Sequence, residues 1–316
     1  MNRPKPIYEF LLWANCNNHC KFCFQQHQGQ KDTFLSDEQK IESIQSVRNF
    51  IASKDYIFGS HVLIVGGEIF GGFSSAKLSL EFENFLDFLI KRMIVGKIDL
   101  LYVNTNLLYD NLESLVYFLD KIDKNNLFGR LKFTTSYDYS GRFSSEEDRS
   151  TMLSHLKVLT NNYKGKLKVV TNMILTKPMC NAIIHDIDLW CPGLVNIHKG
   201  SIAGFMEQYN CEVNTVPYII LDESLAATKE EIIEALKRTD HFIPGYFKAY
   251  VDNFNLDQDK FLYEYHAGNL NKLVFCSTEN APCGHSINFN RYQTDRKTCF
   301  VCDMLKAYKE YSNENK

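Results

Sequence analysis

The chain has 316 residues, 45% of them apolar and 23% charged, enough to bury a sizeable core and ordinary for a folded globular protein. The formal net charge of −3 gives no global reason to expect a polyanionic partner. No stretch approaches the roughly 20 apolar residues that span a bilayer, and the apolar run in "MNRPKPIYEFLLWANC" is too short for a signal-peptide core plus cleavage site. The expectation is a cytoplasmic protein with no membrane partner, whose ten cysteines are metal ligands or buried thiols before they are disulfides.

In chain order, short β-branched or aromatic runs alternate with longer amphipathic stretches. Strands are expected at residues 8–14, 61–66, 98–105, 130–136, 167–175 and 194–198. Helices are expected between them. "SDEQKIESIQSVRNFIAS" opens with a serine cap and acidic residues. "KLSLEFENFLDFLIKRMI", "NLESLVYFLDKI" and "SSEEDRSTMLSHLKVLTNN" carry apolar side chains at three-and-four spacing. Alternation this regular argues for an α/β fold of parallel βα units, closed or partly closed into a TIM-type barrel, with chemistry at the carboxyl ends of the strands. After about residue 225 the rhythm changes. "TKEEIIEALKRTD" reads as a helix, an aromatic and irregular stretch follows, and four cysteines fall in the last 41 residues. The chain is therefore divided into residues 1–225, a partial (β/α)6 barrel, and 226–316, a cysteine-rich metal-binding extension.

Three cysteines follow the first strand at the spacing Cys16-x3-Cys20-x2-Cys23, with aromatic Phe22 before the last. Thiolates this close on one loop can converge on an iron–sulfur cluster. Three protein ligands on a four-iron cube would leave one iron open to chelate a substrate or cofactor. A three-cysteine zinc site completed by a distant fourth ligand is the alternative.

The CxxxCxΦC spacing, with Φ aromatic, resembles the hallmark of the radical S-adenosylmethionine (SAM) superfamily. The resemblance extends over roughly residues 8–220 as a series of strand-end features. "VGGEIF" follows the second strand, and Gly66-Gly67-Glu68 looks like the family's GGE segment, which binds the methionyl amino group. Glycines let a backbone approach a ligand closely, and a carboxylate suits an ammonium. Thr105 and Asn106, after the third strand, stand where relatives often carry a polar pair near SAM. Ser136, Asp138 and Arg149 resemble the S-x-D…R pattern of the peptide-modifying branch, which contacts the ribose and the methionyl carboxylate. Alternatively, Asp138 caps a turn and Arg149 pairs with helix acids. Asn172, a polar residue in the apolar fifth strand, either faces SAM or satisfies buried backbone. Two departures stand out: Ile69 replaces the proline of the usual GGEP, and "LTKP" stands where a glycine-rich adenine motif belongs.

The tail spacing is Cys276-x6-Cys283-x-His285-x13-Cys299-x2-Cys302. Such a set is typical of both structural zinc and auxiliary iron–sulfur sites, with His285 as a spare ligand. Cys180, Cys191 and Cys211 are scattered and expected to be buried, inert thiols. His19 and His27 flank the first cysteine loop; His198, Tyr218 and Tyr137 are candidates for the substrate side of the barrel mouth.

The resemblance implies an enzyme in which a 4Fe–4S cluster on Cys16, Cys20 and Cys23 binds SAM and cleaves it reductively to a 5′-deoxyadenosyl radical. It also implies a flavodoxin- or ferredoxin-type electron donor. A peptide or protein side chain is the expected substrate, although no leader-peptide-binding domain is expected ahead of Ile7. A nucleotide or nucleic-acid base is the alternative, and a non-catalytic iron–sulfur or zinc-binding interaction protein a further one.

Overall fold

The computed structural model describes residues 7–13, 15–21, 23, 35–71, 73–138, 141–185, 205–206, 209–217, 223–225, 227–228, 230–231, 234–235 and 272–274. Within them strands and helices alternate along the chain. The strands are β1 (Ile7–Leu11), β2 (Ser60–Val65), β3 (Ile98–Asn104), β4 (Leu131–Tyr137), β5 (Val169–Leu175), β6 (Glu212–Pro217) and β7 (Lys272–Val274). The helices are α1 (Asp37–Ala52), α2 (Ala76–Ile94), α3 (Glu113–Lys124), α4 (Glu146–Asn162) and α5 (Lys177–Ile184).

The sheet order is β6-β5-β4-β3-β2-β1-β7. The pairs β1–β2, β1–β7, β2–β3 and β5–β6 are parallel. Strands β1 to β6 thus follow chain order in the sheet, an α/β fold compatible with a partial TIM-type arrangement. The expected strand at 194–198 lies outside the described residues, whereas β6 forms from "EVNTVP", too polar to announce itself. Most of the expected extension, 226–316, also lies outside them; its β7 pairs with β1. No helix among the described residues is long and apolar enough to cross a membrane.

The chain divides into two compact units, one of Met1–Asn17, Gln25–Phe133 and Leu270–Asp303, the other of Asn18–Phe24, Thr134–Asn269 and Met304–Lys316. In the first, alternate strand residues Val62, Ile64, Ile98, Leu101 and Val103 are buried, as are Leu78, Phe82, Phe85, Leu86 and Leu89 of α2. Phe82 gathers Trp13, Phe70 and Phe73 at ring distances of 5.9, 5.5 and 5.2 Å, tying α2 to the loops after β1 and β2. In the second unit Phe133's neighbours in sequence continue the alternation: Thr135 and Tyr137 are buried, as are Val169, Thr171 and Met173 of β5.

Among the described helices all but α3 start on a side-chain cap. Ser36 and Gln39 form a reciprocal capping box at α1, and Ser145 and Asp148 do the same at α4. Thr176 caps α5 and Pro178 sits in its first turn, so "LTKP" is a helix start. Ser75 caps α2, and the hydroxyls of Ser74 and Ser75 both donate to the carboxylate of Asp37 in the first turn of α1. This fixes the far end of the segment that follows β2.

Those hydroxyls, Ser74 first and then Ser75, with Lys40 adding its charge, hold the Asp37 carboxyl below its ordinary range. A depressed folded-state pKa contributes stability that is present above the ordinary carboxylate pKa and lost as pH falls through the depressed value. Asp37→Asn is therefore expected to destabilise the protein by about 1–2 kcal/mol at neutral pH. In urea titrations this gap should narrow as pH falls through the depressed pKa of Asp37 and wild type becomes protonated too.

Candidate functional site

The carboxyl ends of β1, β2 and β3 are tied together by a ladder that outruns the strands. Beyond β1, Leu12 donates to Val65 O at 3.0 Å, Gly67 to Trp13 O at 2.8 Å and Glu68 to Asn15 O at 2.8 Å. The Trp13 indole N–H donates to Glu68 O at 2.8 Å, and Lys40 lies 5.8 Å over the same ring. Asn15 also exchanges two bonds with Leu35: its amide donates to Leu35 O at 3.2 Å, and Leu35 N–H donates back at 3.0 Å. This pairing closes the chain segment that begins with Cys16.

Glu68 is the junction of this unit. Its carboxylate is only 3% exposed. It accepts from Phe70 N–H at 2.9 Å, from the Thr105 hydroxyl at 3.0 Å to each oxygen, and from Asn106 N–H. The Tyr109 hydroxyl lies 3.2 Å from Thr105 Oγ1. Burial, then the nearby Glu68 charge, raises the Tyr109 phenol well above its usual pKa, so it stays neutral beside the carboxylate. The sequence singled out Glu68 as an ammonium ligand; its carboxylate here joins the end of β2 to the end of β3.

From this junction the network reaches a cysteine. Asn106 donates through Nδ2 to Asn17 Oδ1 at 2.8 Å and to Cys16 Sγ at 3.5 Å, while its Oδ1 accepts from Leu108 N–H at 2.7 Å. Asn17 in turn donates to Leu108 O. The next residue, Leu107, is buried with φ at 58°, a left-handed conformation unusual for a branched side chain. Such geometry costs about 1–3 kcal/mol and persists where the surroundings over-determine it. Here the bonds of Thr105, Asn106 and Leu108 do so.

In the second unit, Asn18 donates to Cys20 Sγ at 3.2 Å and its carbonyl accepts from His19 N–H at 2.9 Å. Cys23 N–H donates to Cys20 O at 2.9 Å, making a tight turn, and Lys21 N–H donates to Gly141 O at 2.7 Å. Gly141 N–H is held by Asp138, whose other oxygen accepts from the Thr176 hydroxyl at 2.7 Å. Asp138 is fully buried, and its two bonds support the turn behind Lys21. Arg149 is buried and paired with Glu146 through Nε and Nη2, the helix-acid pairing that was the alternative to ligand binding. Tyr137 is buried, with its ring against Phe143 and Phe205.

Gly66, Gly67, Ser136 and Asn172 are half-buried, the remaining expected cofactor contacts with surface to offer. Phe22, Cys276, Cys283, His285, Cys299 and Cys302 lie outside the described residues, as do Cys191, His27, His198 and Tyr218. Cys16, Cys20 and Cys23 form no disulfide; the first and last are partly exposed and Cys20 is buried. Among the described residues no group of three or more His, Cys, Asp or Glu is arranged to hold a metal ion. The fit to a cluster is therefore one of donor type and chain position. Three reduced sulfurs lie within eight consecutive residues, and gathering them would accompany metal binding, as it does where no preformed site exists. Cys180 and Cys211 are buried, each with its thiol pushed up to about 12 chiefly by burial.

Sequence reasoning overlooked Trp13, Asn15, Asn17, Asn18, Tyr109 and Thr176. The signal for three of them was in plain view: asparagines flank the first cysteine and precede the second in "NCNNHC". No family model matches the chain, and no curated protein matches it.

Two outcomes follow from this geometry. A Cβ on Gly66 would lie 2.7 Å from Ile69 Cγ2 and 3.0 Å from Trp13 O, so Gly66→Ala should cost about 1–3 kcal/mol in urea unfolding. Gly129→Ala, where a Cβ meets nothing within 4 Å, is the neutral control. Under native conditions, iodoacetamide followed by peptide mapping should label Cys16 and Cys23 rapidly and Cys180 and Cys211 only after unfolding.

Proposed function

We propose that this chain is a radical SAM enzyme, with Cys16, Cys20 and Cys23 as the ligands of a 4Fe–4S cluster. The observation that carries the reading is the direct bonding of three successive strand ends in the first unit. Cys16 follows β1, Glu68 follows β2 and Asn106 follows β3, and hydrogen bonds run from Glu68 through Asn106 to the Cys16 sulfur. Cysteine after the first strand and Gly-Gly-Glu after the second is the order that the superfamily resemblance implies. Ligand sites belong at the carboxyl ends of parallel strands.

When bound, the cluster and SAM would supply a 5′-deoxyadenosyl radical that takes hydrogen from the substrate. The chain's own work is to hold and orient these groups. The Gly66-Gly67 backbone, braced by Trp13, is the surface offered to the methionyl end of SAM, and Glu68 keeps that surface in place. Half-buried Ser136 of β4 and Asn172 of β5 are the polar side chains proposed to meet the cofactor, while Asp138 is held by Thr176 and Arg149 by Glu146. The sheet is read as a partial (β/α)6 barrel, supported by its strand order. The tail cysteines Cys276, Cys283, Cys299 and Cys302 are read as a second centre, an auxiliary cluster or zinc. A one-electron donor of the flavodoxin or ferredoxin type is the implied partner. A peptide or protein side chain is the proposed substrate, on the S-x-D…R pattern, with a nucleotide or nucleic-acid base as the alternative.

One observation favours the non-catalytic reading. Glu68 and Asp138, two carboxylates expected to meet SAM, both have their oxygens engaged inside the fold.

Anaerobic reconstitution separates the two. The enzyme reading expects about eight irons per chain, or about four irons and one zinc, with 5′-deoxyadenosine formed under dithionite. Replacing Cys16, Cys20 and Cys23 with alanine should remove about four irons and all 5′-deoxyadenosine. A triple variant that kept its iron and still cleaved SAM would overturn the assignment.

A further inference from the structure

Four exposed apolar side chains of the first unit lie together at the amino ends of β2 and β3. Ile57 and Phe58, in the loop that enters β2, are 52 and 68% exposed; Ile94 and Val95, where α2 ends, are 51 and 58% exposed. Gly96 follows Val95 at φ 75°, and a Cβ placed on it would lie 3.6 Å from the Phe58 ring. The two loops are stitched to each other and to the fold. Gly59 N–H donates to Lys97 O at 2.8 Å, and Lys97 Nζ donates to Ala52 O at 3.3 Å. Ile57 N–H donates to the Tyr8 hydroxyl at 3.1 Å, and Arg130 Nη1 donates to Met93 O at 2.7 Å. The apolar side chains are thus held out in water by a fixed backbone, at a standing cost in hydration.

The same two loops carry four cations, Lys54, Lys91, Arg92 and Lys97, and one acid, Asp55, on a chain whose net charge is −3. Burial, then the charge of Arg92, lowers the Lys97 pKa, so these two cations repel each other here.

Size and charge decide what fits. The four apolar side chains offer roughly 400 Å², the scale of a patch that is often functional on a monomer. A stable protein interface takes about 800 Å² from each partner, and a second copy of this chain would set these cations against their like. A lipid surface needs neither that area nor a complementary shape. Apolar tips enter the acyl boundary while lysines and arginines meet anionic headgroups.

We propose that the amino ends of β2 and β3 dock on an anionic lipid surface, with Ile57, Phe58, Ile94 and Val95 inserted and the four cations against the headgroups. The contact is peripheral, since no described helix is long and apolar enough to cross a bilayer. It is independent of the cluster reading. It replaces the expectation of no membrane partner, which rested on the lack of a spanning stretch.

The test is flotation of the full chain with phosphatidylcholine vesicles, with and without phosphatidylserine. Phosphatidylserine should raise binding about tenfold or more, and Lys54→Gln and Lys91→Gln should each lower it about fivefold. Phe58→Ser combined with Val95→Ser should lower it about tenfold or more. Leu80→Ser, at a side chain equally exposed but early in α2, should bind as wild type does. Phe58→Trp should add fluorescence that vesicles shift to the blue and brominated acyl chains quench. No binding to either vesicle, or binding that the Phe58→Ser, Val95→Ser variant retains, would overturn the proposal. Dimerisation in ultracentrifugation that Phe58→Ser abolishes, without vesicle binding, would overturn it in favour of a second copy. Binding of an alternating Glu-Leu peptide, again without vesicle binding, would overturn it in favour of an acidic protein partner.

Discussion

A single buried carboxylate organises the first unit. Glu68 sits at the end of β2 and accepts from two backbone N–H groups and one hydroxyl, all out of reach of bulk water. Buried donors left without acceptors cost about 1–3 kcal/mol each, so the loops after β2 and β3 cannot separate without stranding several such donors at once. The backbone bonds of Trp13 and Asn15 extend the same lock to the loop after β1. The strained Leu107 is tolerable only because its neighbours are held so firmly.

The second unit repeats the device with different residues. Asp138 accepts from Gly141 N–H and from Thr176, which also caps α5. Gly141 then presents its carbonyl to Lys21, inside the turn that carries Cys20 and Cys23. In both units an acid at a strand end braces the loop that bears a cysteine.

Periodicity made β1 to β5 and α1 to α4 legible within a few residues, because each carries a clear apolar pattern of its own period. β6 was missed because Glu212, Asn214, Thr215 and Pro217 break any apolar run. α5 was missed because "LTKP" was noted only as standing where a glycine-rich adenine motif belongs, and the Thr-x-Pro helix start it encodes was not read. The candidate residues themselves were legible; the direction of their bonds was not. Sequence places Glu68 and Asp138 at strand ends, but whether a carboxylate faces a ligand or its own loop depends on which N–H groups the turns expose. Thr105, Asn106, Gly141 and Thr176 decide that, and their donors are fixed only by the folded backbone.

The central claim is that a cluster bound by three cysteines of this chain keeps one iron open for SAM. The most direct measurement is the Mössbauer spectrum of the reconstituted protein before and after SAM is added, with the tail cysteines Cys276, Cys283, Cys299 and Cys302 replaced by serine so that a single cluster is observed. The account predicts that one iron site of the four changes its isomer shift on SAM addition while the other three stay thiolate-like. A spectrum that SAM leaves unchanged, with every iron already bound as by thiolate, would contradict it.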